Sequence, residues 1–313
     1  MGGLAYERPL KKWGRTVHFN IGAVLNDKTL SVLEVAPEID ARGFHSMSVG
    51  EHTHMPVATK HKYANSADLP DIYKRFPDPW VTLTAAAACT KNVRLGTSIC
   101  LIAEHNPIIL AKTIATLDQL SGGRVDIGAG YGWNPPELLN NGVEFKNRRQ
   151  VFRENILAMK ALWAQETAAF DGEFVKFTES WAYPKPAQDP HPPIFIGAQP
   201  GPRTFHDIVT ISDGWMPDRS WLGDQMEDHF KRLRIACQEV GRDSGDLYFT
   251  LSGVNGFRRN TIEEFRERLP SQDLIEKWRA LGFRRINISI PVQERSFMLR
   301  CLDATRDVME LVS

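Results

Sequence analysis

Residues 124–137 read RVDIGAGYGWNPPE. The stretch opens as a strand, with Val125, Ile127 and Ala129 alternating along it. It leaves through Gly128, Gly130 and Gly132 and then presents Trp133, Asn134, two prolines and Glu137. Glycine lets a backbone turn sharply and approach a neighbour closely. Upstream lies NPIILAKTIATLDQLS (residues 106–121), an apolar helix stopped by Gly122 and Gly123. Downstream lies RRQVFRENILAMKALW (148–163), with Val151, Ile156, Met159 and Trp163 near helical spacing. An apolar strand between two helices belongs to a parallel sheet.

The same alternation runs outward in both directions. Strands are expected at 17–25, 46–51, 93–101, 124–131, 194–198, 213–217, 247–254 and 285–291. Helices are expected at 29–44, 79–90, 106–121, 148–163, 201–212, 224–241, 263–281 and 295–311. Eight such units predict a closed (β/α)8 TIM barrel, in one domain spanning residues 1–313. An open doubly wound sheet fits less well, because no G-x-G-x-x-G follows the first strand. The rhythm breaks only at 168–193, between helix 4 and strand 5. There AFDGEFVKF reads as a hairpin around Asp171-Gly172, and YPKPAQDPHPP as an extended proline-rich linker.

The formal net charge is zero and 42% of residues are hydrophobic. That balance argues against a general nucleic-acid binder or a membrane-surface protein, both of which need a basic excess, and leaves room for a local basic patch. No apolar run is long enough to span a bilayer. No signal peptide is evident, and Cys89, Cys100, Cys237 and Cys301 form no C-x-x-C pair, so a cytoplasmic chain is expected.

In a barrel of this class the chemistry sits where strands run into helices at their C-terminal ends. Strand 2 ends in Glu51, His52, Thr53 and His54. A histidine there can donate or accept a proton near neutral pH. A metal is not expected, because Glu51, His52, His54 and His105 form no H-E-x-x-H and have no cysteine partner. Strand 5 ends in GAQPGPRT (197–204), where glycines, Arg203 and Thr204 ahead of a helix suit a phosphate. The bland alternative for either glycine loop is an ordinary strand-to-helix turn. Lys60, His61, Lys62, Lys74 and Arg75 form a weakly basic region after strand 2.

The segment NPIILAKTIATLDQLSGGRVDIGAGYGWNPPELLNNGVEF resembles the luciferase-like monooxygenase superfamily. The likeness continues through GEHTHMP, DPWVTLTAAAACTKNVRLGTSI, RENILAMKALW, FDGEFVKF, YPKPAQDPHPPIFIGA and SDGWMP. It covers about Val17 to Pro217, and the last third matches only in rhythm. The resemblance implies a barrel binding a flavin-type cofactor. The nearest subgroup comprises oxidoreductases that use the deazaflavin coenzyme F420; other members use FMN, usually supplied reduced by a partner reductase.

Carried onto this chain, the family pattern matches Glu51 and His52 to an acidic-residue–histidine pair, taken as the catalytic pair, with the histidine near the redox-active ring. Ser98–Ile99 would be a cis peptide behind that ring. Gly128, Gly130, Tyr131 and Gly132 match the loop near the cofactor's side chain, with Trp133 flanking the ring or substrate. Gly197, Ala198, Gln199, Arg203 and Thr204 match the phosphate loop, and Trp215 and Met216 an aromatic and apolar wall. Glu137 would anchor its loop or act in catalysis. Some deazaflavin dehydrogenases carry a catalytic glutamate where this chain has Trp133, which makes His52 the stronger acid–base candidate. The function implied is hydride transfer between F420 and a small, partly hydrophobic organic substrate. The rivals are an FMN-dependent monooxygenase and a non-catalytic flavin-binding protein. A homodimer is the family expectation.

Overall fold

The computed structural model describes residues 14, 16–57, 59, 69–256 and 261–312. The first half of the chain runs β1 (His18–Ala23), α1 (Val32–Ala41), β2 (Ser46–Val49), α2 (Pro79–Cys89), β3 (Arg94–Thr97), α3 (Pro107–Ser121) and β4 (Val125–Ala129). A short α4 (Pro135–Asn140) and a long α5 (Arg148–Ala164) follow. The strands β5 (Thr167–Asp171) and β6 (Lys176–Trp181) then form an antiparallel hairpin outside the barrel. The second half is β7 (Ile194–Ile196), α6 (Pro202–Ile211), β8 (Gly214–Trp215), α7 (Arg219–Leu222), α8 (Met226–Glu239), β9 (Tyr248–Leu251), α9 (Ile262–Glu267), α10 (Gln272–Leu281), β10 (Phe283–Ile290) and α11 (Arg295–Glu310).

Strands β1, β2, β3, β4, β7, β8, β9 and β10 close into a parallel barrel. Closure rests on β1 lying against β10 in register from His18–Arg285 to Ala23–Ile290. Local chemistry sets the helix ends. Ser31 and Glu34 form a capping box at α1. Asp78 caps α2 and Asn106 caps α3, each followed by a proline whose missing N–H costs nothing there. The expected helix over 263–281 is instead two helices. Pro270 follows α9 and Ser271 caps α10, so the chain restarts where proline cannot continue a helix. The short helices α4 and α7 fall in loops whose apolar periods are too brief to read.

A salt-linked cluster holds the lower part of the barrel. The Asp126 carboxylate on β4 takes Arg94 at 2.5 Å and Arg285 at 2.8 Å. Arg285 also lies over the Phe195 and Tyr248 rings, 5.1 and 4.9 Å from their centroids. Burial pushes the Asp126 carboxyl up, but the two guanidinium groups outweigh it and hold it at about 2. Higher in the barrel, Asn20 donates to Ser48 (2.8 Å) and Asn287 (2.9 Å), and Asn287 donates to Ser98 (3.4 Å). The interior is therefore filled by paired polar groups as well as apolar side chains.

Candidate active site

The ends of β2, β3, β4 and β7 converge on one side of the barrel rim. His52, just past β2, is buried and its Nδ1 lies 2.8 Å from Glu137 on α4. Glu137 is fully buried and also accepts the Thr53 N–H at 3.1 Å. A carboxylate only accepts, so the Nδ1 proton sits between the two groups and Nε2 is the nitrogen left for proton exchange. Tyr73, Phe76 and Trp133 surround the imidazole with centroids 5.3, 5.7 and 5.5 Å away. Glu51 turns the other way. It accepts the Leu101 N–H at 2.5 Å and faces His105 Nε2 at 2.8 Å. Burial pushes the Glu51 carboxyl up, but His105 and the Leu101 N–H outweigh it and leave it below the usual range. Burial lowers His105, but Glu51 outweighs that and leaves it raised. Glu51 is thus a brace for the β3 end rather than a group facing the rim, which corrects the expectation of a catalytic pair.

The Ser98–Ile99 peptide is cis. The Ile99 side chain explains three of the expected cofactor glycines. A Cβ at Gly130 would lie 2.7 Å from Ile99, one at Gly197 2.9 Å, and one at Gly128 3.0 Å from Ile99 and 2.1 Å from the Thr97 carbonyl oxygen. A side chain at any of the three would therefore press on Ile99 or β3. Gly132 has φ +80°, the left-handed region that glycine adopts readily, and backs onto Leu138 and Glu104. Changing Gly128 to alanine is expected to destabilise the fold by about 1–3 kcal/mol or more, because the atom in the way is backbone. The denaturant midpoint measures it; an unchanged midpoint would reject this packing account.

On the β7 side, Thr204 is buried and takes Arg149 Nη2 at 3.1 Å. Arg149 stacks on the Tyr131 ring, 4.0 Å from its centroid. The Tyr131 hydroxyl donates to Asp207 at 2.7 Å, and burial with Asp207 raises the phenol. Arg153 reaches the same carboxylate at 2.6 Å and Arg149 at 3.4 Å. Two guanidinium charges against one carboxylate leave a positive excess beside the first turn of α6, whose free N–H groups also favour anions. Arg149 and Arg153 were missed in the sequence because cations opening a helix look like an ordinary solvated face.

Arg203 and Gln199 are exposed, while Ala198 is buried and its carbonyl accepts the Trp215 indole N–H at 3.0 Å. Trp215 is wholly enclosed by core residues including Phe205 and Phe230. Having no open face, it is a core residue and not the expected wall. Met216 lines the barrel interior with Ile99, Phe195 and Tyr248. Lys60, His61 and Lys62 lie outside the described residues. Lys74 and Arg75 pair with Asp71, and Arg75 also with Asp27, so these two cations of the basic region are matched by carboxylates.

The family model for luciferase-like monooxygenases matches residues 22–295. The chain belongs to that family. An uncharacterized protein of Mycobacterium tuberculosis, Rv0953c, is 46% identical over 278 residues, covering 88% of this chain and 92% of its own length. An F420-dependent glucose-6-phosphate dehydrogenase of Kineococcus radiotolerans is 36% identical over 55% of this chain and 50% of its own. An FMNH2-dependent dimethylsulfone monooxygenase of Pseudomonas putida is 33% identical over 58% of this chain and 49% of its own. Among solved structures, the monooxygenase RslO1 of Streptomyces bottropensis superposes with a TM-score of 0.75 at 21% identity, over 94% of this chain and 99% of that one. The chain is accordingly a luciferase-like oxidoreductase on a TIM barrel. Among the described residues no helix is long and apolar enough to cross a membrane.

Proposed function

We propose that the chain passes a hydride between coenzyme F420 and a small, partly hydrophobic organic substrate. The observation that carries this reading is the buried His52–Glu137 pair at the rim. Moving a hydride to or from a carbon that bears oxygen requires a proton to move at that oxygen, and a histidine held by a carboxylate does this near neutral pH. A flat-ringed cofactor bearing phosphate fits the donor set: Arg149, Thr204 and the α6 amides for the anion, and Trp133, Tyr73 and Phe76 for an apolar surround. When bound, F420 would supply the hydride-carrying carbon. The chain's residues do the rest. Arg149 and Thr204 orient the cofactor, the aromatic group keeps water from His52, and Glu137 fixes the His52 tautomer.

The second reading is an FMN-dependent monooxygenase working with a reductase, favoured by the dimethylsulfone monooxygenase relative. We read the chain as a cytoplasmic homodimer under either cofactor; the four cysteines are free, as a reducing compartment would leave them. Anaerobic titration of the purified chain with F420 and with FMN, followed by calorimetry, tests the choice. Tight F420 binding with weak FMN binding is expected; tight FMN binding alone would overturn the hydride reading. Arg149→Ala is expected to weaken the bound cofactor about 10–100-fold, the equivalent of one charge-assisted hydrogen bond of about 1.5–3 kcal/mol. The same calorimetry reads it, and an unchanged dissociation constant would move the anion site elsewhere.

A further inference from the structure

Glu104 closes the short 3-10 turn Ile102–Glu104 after β3 and is only 8% exposed. Its Oε2 accepts Asn141 Nδ2 at 3.0 Å and the Thr53 hydroxyl at 3.4 Å. Both donors also touch the neighbouring pair: Thr53 N–H bonds Glu137 Oε1 at 3.1 Å, and Asn141 Nδ2 bonds the Glu137 carbonyl at 3.0 Å. Its Oε1 is buried with no hydrogen-bond partner among the described residues and faces Gly132 of the glycine loop. On its other side a cleft of about 420 Å³ opens between α2 and α3, lined by Asp78, Trp80, Thr84, Glu104, His105 and Ile109.

The titratable groups around Glu104 are Glu51, His52 and His54 after β2, Cys100 and His105 around the turn, Glu137 on α4 and Asp78 at the start of α2. Glu51 is matched by His105 and Glu137 by His52. Glu104 is the third carboxyl of the cluster, and the charges acting on it are those of Glu137 and Glu51. Three buried carboxylates sharing two histidines cannot all ionise cheaply, so the one without a histidine keeps its proton.

We propose that Glu104 is a positioning residue for His52: a carboxyl that exchanges its proton with solvent through the α2–α3 cleft and whose charge, acting through Glu137, sets how strongly His52 holds its own proton. While Glu104 is neutral, Glu137 and His52 form a lone pair of partners. When it ionises, a second negative charge faces Glu137 and favours the protonated imidazole. The cleft lets this happen while ligands cover the rim. Burial, then Glu137 and Glu51, push the Glu104 carboxyl up to about 8, within a working range.

The inference rests on reading His52 as the proton-handling group, but its test needs no turnover. Histidine-¹⁵N and glutamate-¹³Cδ labelled full chain would be titrated by NMR across the neutral and alkaline range. His52 signals are identified by their loss in His52→Ala, and the Glu104 carboxyl by its loss in Glu104→Gln. The expected result is a carboxyl inflection near pH 8, mirrored by a second inflection of the His52 ring that Glu104→Gln abolishes. A Glu104 carboxyl that titrates near the ordinary glutamate value of about 4.3 overturns the proposal. So does a His52 curve that is the same in both chains. If Glu104→Gln fails to fold, the wild-type pair of curves still decides, with the carboxyl then assigned by triple-resonance correlation. If the coupling is present but His52→Ala turns over normally, the reading of His52 fails and the Glu104 assignment stands.

Discussion

Replacing His52 with alanine is expected to cost about 10²–10⁴-fold in turnover, the usual worth of a positioned acid–base group, and to leave cofactor affinity nearly unchanged. Imidazole is the one side-chain type in this aromatic group that both gives and takes a proton near neutral pH, and Glu137 holds it by Nδ1. Steady-state rates at saturating cofactor, with calorimetric binding alongside, separate the two effects. A loss of affinity with turnover retained would make His52 a binding residue. Full activity with full affinity would remove it from the site. Added imidazole restoring part of the rate would strengthen the acid–base role, since a purely structural defect has no reason to respond.

The largest expected effect on stability is at the opposite end of the barrel. Asp126→Ala leaves Arg285, buried and held at 2.8 Å in the native chain, without its carboxylate. Breaking a buried ion pair from one side costs about 3–5 kcal/mol, a large part of the 5–15 kcal/mol that typically separates folded from unfolded protein. Urea unfolding measures the loss. A loss below about 1 kcal/mol would mean water or a neighbour already solvates Arg285. Asp126→Ala with Arg285→Met should recover part of the loss, because an apolar replacement of a buried pair is tolerated better than half of one. The pH dependence has a definite sign. The Asp126 carboxyl is held at about 2 in the fold, against about 3.9 in an unfolded chain. Its stabilising contribution is therefore complete above about pH 4 and is lost as pH falls through 2. Asp126→Ala should flatten that acid limb of the stability curve.

Much of this molecule is legible in the order of its residues. Alternating apolar strands and amphipathic helices repeat with short turns, and a chain so patterned can bury both faces of its strands only in a parallel barrel. The turn at Asp171-Gly172 announces the β5–β6 hairpin, and proline after a polar cap fixes where α2 and α3 begin. The motifs place His52 and the strand ends on one rim, because strand ends are local features. Three things were decided only by packing across the barrel. Glu137 becomes the partner of His52 across 85 residues, and Arg285 that of Asp126 across 159. Gly128, Gly130 and Gly197 lie against the Ile99 side chain, since a missing Cβ records that space is needed but not what fills it. Trp215, expected as a wall of the site, goes to the core, and Arg149, which no motif singled out, stacks on Tyr131 beside α6. Side-chain direction depends on the twist and tilt of neighbouring strands, which no single segment of sequence encodes.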